Sequence, residues 1–173
     1  MASHTSTVDV LVLGGGSAGA AAAISAARRG ARTLLVERHA CLGCIGTAVL
    51  DTFYGAYAAG TPFKVVGGLF DQITERLADA GEMMIRPNRH GGGIGVAYNA
   101  DFLKVVWEQM AIEAGVGLLY GALFVATEST GDGHKVVVAT KAGLERISAR
   151  IVIDATGDGD FCAAARGEAM REG

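Results

Sequence analysis

The sequence predicts an α/β domain: a mainly parallel sheet with flanking helices, extended by a three-stranded antiparallel meander. Three observations predict it. An apolar run, residues 8–13, passes through a glycine turn into an alanine-rich stretch and then a second apolar run, residues 33–36. Between residues 123 and 148 three short strand-like stretches follow one another with only turn residues between them. A last apolar run, residues 151–154, ends in the small residues Ala155, Thr156 and Gly157. Strand and helix signals in alternation give a parallel sheet, and consecutive strand signals give an antiparallel one.

Residues 8–37 read VDVLVLGGGSAGAAAAISAARRGARTLLVE, which is strand, glycine turn, helix, strand and carboxylate. That is the dinucleotide-binding βαβ pattern. Gly14 permits a tight turn out of the strand. Gly16 lets the backbone approach a pyrophosphate, and Gly19 lets the helix lie close on the sheet. Gly15, Ser17 and Ala18 complete the turn, and the helix that starts there offers free N–H groups and a partial positive charge to the phosphates. Glu37 falls where a carboxylate accepts bonds from ribose hydroxyls, which argues for an unphosphorylated adenosine ribose. A ligand-free glycine loop is the bland alternative. The complete strand–helix–strand–acid series argues against it, although the motif alone does not separate FAD from NAD.

Composition bounds the remaining choices. The 173 residues suffice for one domain with a real core, half of them are hydrophobic and 19% are charged, as in a globular chain. A net charge of -3 gives no basic stripe and argues against nucleic acid as a partner. Charges interrupt every apolar run, so no membrane span is expected. The lead MASHTSTVDV lacks the basic and apolar regions of a signal peptide, and three cysteines do not make a disulfide framework. The expected location is cytoplasmic.

After Glu37 the loop Arg38-His39-Ala40-Cys41-Leu42-Gly43-Cys44-Ile45-Gly46-Thr47 lies near the nucleotide, with Arg38 placed either over adenine or in water. Cys41 and Cys44 form a C-x-x-C that reads as a redox dithiol or, more plainly, as two small residues filling space. A zinc site would need a second pair, and Cys162 stands alone, so no metal is expected. Residues 48–68 are broken by glycines, with Phe53, Tyr54 and Tyr57 either walling a cofactor ring or packing in the core. A helix is expected over residues 69–80. A basic loop with Arg86, Arg89 and His90 follows, suited to an anionic substrate or simply to solvent. Asn99 caps the next helix, whose buried face is expected at Phe102, Val106 and Met110, with Trp107 beside it. Residues 116–120 read as a strand returning to the main sheet. The meander takes residues 122–150, and its last strand, residues 144–148, is followed by a separate parallel strand, residues 151–154.

The meander favours FAD, because an NAD domain would continue with a second βαβαβ half. The turn at Ala155–Asp160 lies at the same sheet edge as the first glycine loop and so reaches the same ligand. These motifs resemble the FAD-dependent oxidoreductases of the glutathione-reductase-type fold: the fingerprint Gly14 to Gly19, the loop Leu42-Gly43-Cys44-Ile45-Gly46-Thr47, and the strand end Ala155 to Asp160. The resemblance implies a Rossmann-like FAD-binding domain over residues 1–173, with residues 48–98 as an insertion or substrate-side segment. It implies that the Gly14–Gly19 turn holds the pyrophosphate, Glu37 the ribose, and Arg38 the adenine. Gly43, Cys44 and Thr47 would line the phosphate and ribityl path, the Val125 backbone would meet adenine, and Ala155, Thr156, Gly157 and Asp158 would close over the cofactor.

Cys44 replaces the second glycine of the family's loop, and the segments that family members use to bind substrate do not follow in this sequence. The resemblance therefore implies the FAD-binding portion of an oxidoreductase that takes a hydride from a small organic substrate. A second polypeptide or further chain would supply the substrate domain and the last flavin contacts. The rival readings are a dithiol/disulfide flavoenzyme using Cys41 and Cys44, a non-catalytic dinucleotide-binding module and, more distantly, a sulfur-donating thiazole synthase. No residue is assigned as catalytic acid or base; Cys44, Cys41 and His90 are the first candidates.

Overall fold

The structure, a computed structural model, describes residues 5–51, 53–55, 57–58, 61, 63–87 and 94–166. A six-stranded sheet organises it. Strand β1 (Thr5–Leu13) lies between β2 (Thr33–Glu37) and β9 (Gly143–Asp154), both parallel to it. Beyond β2, β6 (Gly117–Tyr120) extends the parallel part. Beyond β9, β8 (Gly133–Thr140) and β7 (Leu123–Thr130) continue the sheet antiparallel, giving the order β6-β2-β1-β9-β8-β7.

Over residues 10–13 β1 is buried on both faces, as the middle of a central parallel strand must be. Val10 and Val12 join a core with helices α1 (Ser17–Arg28), α2 (Leu69–Asp79) and α3 (Ala100–Glu113). Leu11 and Leu13 join a second core on the opposite face, with Val136, Val138 and Phe161 of the short helix α4 (Asp160–Arg166). At the base of β1, Arg32 donates to Asp9 through its backbone N–H at 2.9 Å and its guanidinium at 3.0 and 3.2 Å. The bonds from that guanidinium hold the Asp9 carboxyl down at about 2.

Two expectations are corrected. The separate strands over residues 144–148 and 151–154 are one strand, β9, which pairs antiparallel with β8 through Gly143–Ala149 and parallel with β1 through Arg146–Asp154. No glycine or proline lies between Leu144 and Asp154, so nothing breaks the run. On α3 the buried face is Leu103, Val106, Trp107, Met110 and Ala111, while Phe102 is only half-buried. A period of 3.6 needs alternating steps of three and four, and a stripe read every fourth residue slides off that face. Asn99 caps α3 as expected, its side chain accepting from the Asp101 and Phe102 N–H groups.

Within residues 48–98 the chain builds a small antiparallel sheet that the sequence reading did not include. It consists of β3 (Phe53–Tyr54), β5 (Ile94–Tyr98) and β4 (Met83–Pro87), in the order β3-β5-β4. Val96 and Tyr98 anchor it in the first core, and the Tyr98 hydroxyl donates to the Asp51 carbonyl at 2.9 Å. Arg89 and His90 of the basic loop lie outside the described residues. Tyr57 packs partly against the first core. Among the described residues no helix is long and apolar enough to cross a membrane.

Leu103 is fully buried and Val105, two positions on, is 44% exposed. Leu103→Ala is expected to cost about 2–5 kcal/mol of stability and Val105→Ala no more than about 0.5 kcal/mol. Chemical denaturation of the two variants beside the parent measures both.

Candidate functional site

A cleft of about 380 Å³ opens where the carboxyl ends of β1, β2 and β9 meet, the edge at which open α/β sheets bind ligands. Gly14, Gly16, Ser17 and Ala18 form one wall, and Glu37 and Arg38 reach it from β2. Gly43, Cys44 and Ile45 come from the following loop, and Ala155, Thr156, Gly157 and Asp160 from the end of β9. Ala122, Leu123 and Phe124 at the start of β7 complete it.

The three fingerprint glycines have different causes. A Cβ at Gly14, whose φ is +96°, would stand 2.2 Å from the Ala155 carbonyl oxygen. A Cβ at Gly19 would stand 1.8 Å from the Gly14 carbonyl oxygen. Both are therefore required by the fold itself, which packs the first turn of α1 against β1 and β9. Gly16 is different. Its φ of −61° and ψ of 178° suit any residue, and the nearest atom to a Cβ would be Cys44 Cβ at an ordinary 3.5 Å. The chain leaves Gly16 bare on the cleft side without needing to, as expected where a ligand's backbone approach is the constraint.

Gly16 is also the N-cap of α1, with no side-chain cap and no acid in the first turn. The first intrahelical bond runs from Ala20 N–H to the Gly16 carbonyl, so the preceding amides of Ser17 and Ala18 are the helix's open donors. An uncapped helix N-terminus facing a cleft suits a phosphate. A dinucleotide pyrophosphate fits these residues.

Glu37 is 4% exposed, and both its oxygens are engaged: Oε2 accepts from Gly15 N–H at 2.5 Å and Oε1 from His39 N–H at 2.7 Å. It thus locks the glycine turn to the end of β2 while lining the cleft, with remaining lone pairs for sugar hydroxyls. Gly15 is behind the wall, where a Cβ would stand 2.7 Å from the Leu42 side chain. Thr47 is also behind it: fully buried, its hydroxyl donates to the Leu42 carbonyl at 2.6 Å and closes the loop. Arg38 lies at the cleft, its Nε donating to His39 Nε2 at 3.3 Å.

Cys44 lines the cleft at a φ of +37°, the left-handed region that favours glycine. Its carbonyl accepts from the Thr47, Ala48 and Val49 N–H groups, which winds the 3-10 turn Cys44–Gly46. Cys41 does not line the cleft; its thiol lies 3.9 Å from the Thr47 hydroxyl. Neither cysteine is in a disulfide, and among the described residues no group of His, Cys, Asp and Glu is arranged to hold a metal.

Val125 and Asp158 lie outside the cleft lining, and both are exposed. The β7–β8 register shifts between Phe124 and Ala126, so Val125 is a bulge residue, and its neighbours Leu123 and Phe124 face the cleft instead. At the end of β9 it is Asp160, not Asp158, that reaches the lining. The repeated GDGD offers two carboxylates, and only the loop geometry chooses between them.

Known proteins bear on this arrangement. A family model described as "FAD dependent oxidoreductase" matches residues 9–172. Aklavinone 12-hydroxylase DnrF from Streptomyces peucetius subsp. caesius is 39% identical over 103 residues, 57% of this chain and 20% of that protein. The chain thus spans about a fifth of the length of the curated relatives it matches. Among solved structures, a geranylgeranyl bacteriochlorophyll reductase-like protein from Thermoplasma acidophilum superposes with a TM-score of 0.62 at 19% identity, over 94% of this chain and 42% of that one. The OxyS anhydrotetracycline hydroxylase from Streptomyces rimosus superposes with a TM-score of 0.61 at 20% identity, over 86% of this chain and 31% of that one. At such identities the two structures speak to the fold alone.

Gly19→Ala is expected to prevent normal folding or to lower the thermal midpoint by more than ten degrees (about 3 kcal/mol or more), because its Cβ meets backbone rather than a flexible side chain. Circular dichroism during heating measures this without any ligand.

Proposed function

The chain belongs to the FAD dependent oxidoreductase family, with FAD as its cofactor, and from that premise we propose that it is the FAD-holding portion of a flavin-dependent oxidoreductase acting on a small organic substrate. The bare, uncapped N-terminus of α1 at Gly16 is the observation that carries this reading, with Glu37 beside it as the sugar acceptor. FAD, when bound, supplies two-electron chemistry, with hydride transfer from substrate as the proposed reaction. The chain's own residues bind and orient: the Ser17 and Ala18 amides take the pyrophosphate, Glu37 the ribose, and the Thr156–Gly157 backbone the far side of the cofactor.

The glutathione-reductase-type branch is the finer reading within the family and rests on the sequence motifs. A second reading, flavin-dependent hydroxylation, is favoured by the 39% identity to a protein named as a 12-hydroxylase. A dithiol mechanism gains less support, because Cys44 lines the cleft and Cys41 does not.

We also propose that further polypeptide, in the same chain or a second one, completes the site and supplies the substrate domain. Ile45, which lines the cleft, and Val49 and Leu50 just after it are 61–66% exposed, and further along the chain Phe63 and Val65 are 69% and 58% exposed. Apolar surface of this kind is characteristic of an interaction face. A cytoplasmic location belongs to the same proposal.

Native mass spectrometry of the protein purified from its source, followed by denaturation, tests these points together. The expected spectrum shows FAD and additional polypeptide mass on the native particle, with FAD released on denaturation. A bare particle of this chain's mass that takes up no added FAD would overturn the reading.

A further inference from the structure

Asp154, the last residue of β9, is used by none of the roles above, yet it is the most heavily bonded carboxylate near the cleft. Its Oδ1 accepts from the Thr156 N–H at 3.1 Å and the Thr156 hydroxyl at 2.8 Å. Its Oδ2 accepts from the Cys162 N–H at 2.8 Å, inside the first turns of α4, and the Cys162 thiol adds a further bond. The Thr156 hydroxyl in turn accepts from the Gly159 and Asp160 N–H groups, both at 3.1 Å. One carboxylate thus fixes Thr156, and through it the amides that lead into α4.

The consequence falls on the cleft. Thr156, Gly157 and Asp160 all line it, but the Thr156 hydroxyl is fully committed within the loop, so this side offers a ligand mainly backbone. Gly157, at a φ of +93° with nothing within 4 Å of a would-be Cβ, is held open toward solvent. Ala155 N–H donates to the Leu13 carbonyl at 2.8 Å, so the loop starts from a fixed point on β1. From there, its path is set by what Asp154 holds.

We propose that Asp154 is a positioning residue for the cofactor: by bonding Thr156 and Cys162 together it holds the Thr156–Gly157 backbone in the shape that closes over FAD. The inference rests on the FAD reading of the cleft. Burial alone would raise the Asp154 pKa, but the bonds from Cys162 and Thr156 outweigh it and hold the carboxyl below its ordinary value. The group is therefore ionised near neutrality, with both oxygens acting as acceptors. Its contribution is present above the ordinary carboxylate pKa and is lost as pH falls below it.

Asn is nearly isosteric with Asp but has only one acceptor oxygen, so Asp154→Asn presents an NH₂ group to a backbone N–H at either Thr156 or Cys162. Thr156→Val removes the hydroxyl that relays the bond, and Thr156→Ser keeps it. FAD is titrated into the parent protein and each variant, purified with any further polypeptide they carry, at neutral pH, following flavin fluorescence and the visible absorption band of the bound flavin. Thermal midpoints without FAD are taken alongside. D154N and T156V are expected to weaken FAD binding by about tenfold or more and to shift the bound flavin's absorption band, while T156S restores both. D154N binding as tightly as the parent, with an unchanged band, overturns the inference. Should D154N fail to fold, T156V decides alone: parent-like binding by folded T156V overturns it equally. A parent protein that binds no FAD with its further polypeptide present would instead overturn the reading of the cleft on which the inference rests.

Discussion

Backbone packed directly on backbone is the constraint from which the rest of the structure follows. The Gly14 and Ala155 peptides meet without a Cβ between them, and the first turn of α1 lies on the Gly14 carbonyl at Gly19. This contact brings the ends of β1 and β9, far apart in sequence, together only because β9 runs parallel to β1 in register, Leu13 opposite Asp154. Glu37 then ties β2 to the same point through the Gly15 N–H. Three strand ends, one helix start and one buried carboxylate converge there, and the cleft is the space they leave.

The same convergence explains why polar groups at the cleft are mostly committed to the chain. Glu37 is held by two N–H groups and the Thr156 hydroxyl by its loop, and just behind the wall the Thr47 hydroxyl is held by the Leu42 carbonyl. What remains for a ligand is a helix N-terminus, spare carboxylate lone pairs, exposed peptide edges and the side chains of Arg38, Cys44 and Asp160. Such an arrangement suits the binding and orientation of a large charged cofactor. On the proposed function the reactive chemistry belongs to the cofactor, and substrate choice to the further polypeptide proposed with it.

Much of this was legible in the sequence because local patterns encode it. The β1–α1–β2 unit shows in hydrophobic runs and glycine spacing, and Asn99 marks the start of α3 through its capping chemistry. Other features were not local. The continuity of β9 depends on partners on both sides, β1 and β8, which no window of sequence displays. The bulge at Val125 hands the cleft to Leu123 and Phe124, and only the pairing of β7 with β8 reveals it. The resemblance puts Thr47 on the phosphate and ribityl path, and no local pattern shows that its hydroxyl donates to the Leu42 carbonyl. Asp154 carried no signal, since its bond from the Cys162 N–H exists only once the chain turns back there.

The central claim is that Gly16, unlike Gly14 and Gly19, is glycine for the sake of a cofactor and not of the fold. The direct measurement is the Gly16→Ala variant, compared with the parent for thermal midpoint without ligand and for FAD affinity. The account predicts a midpoint within a few degrees of the parent, since replacing Gly by Ala at an N-cap costs about 1 kcal/mol or less, together with at least about a tenfold loss of FAD binding. A variant that binds FAD as tightly as the parent, or one that loses the fold as a Gly19 substitution would, contradicts it.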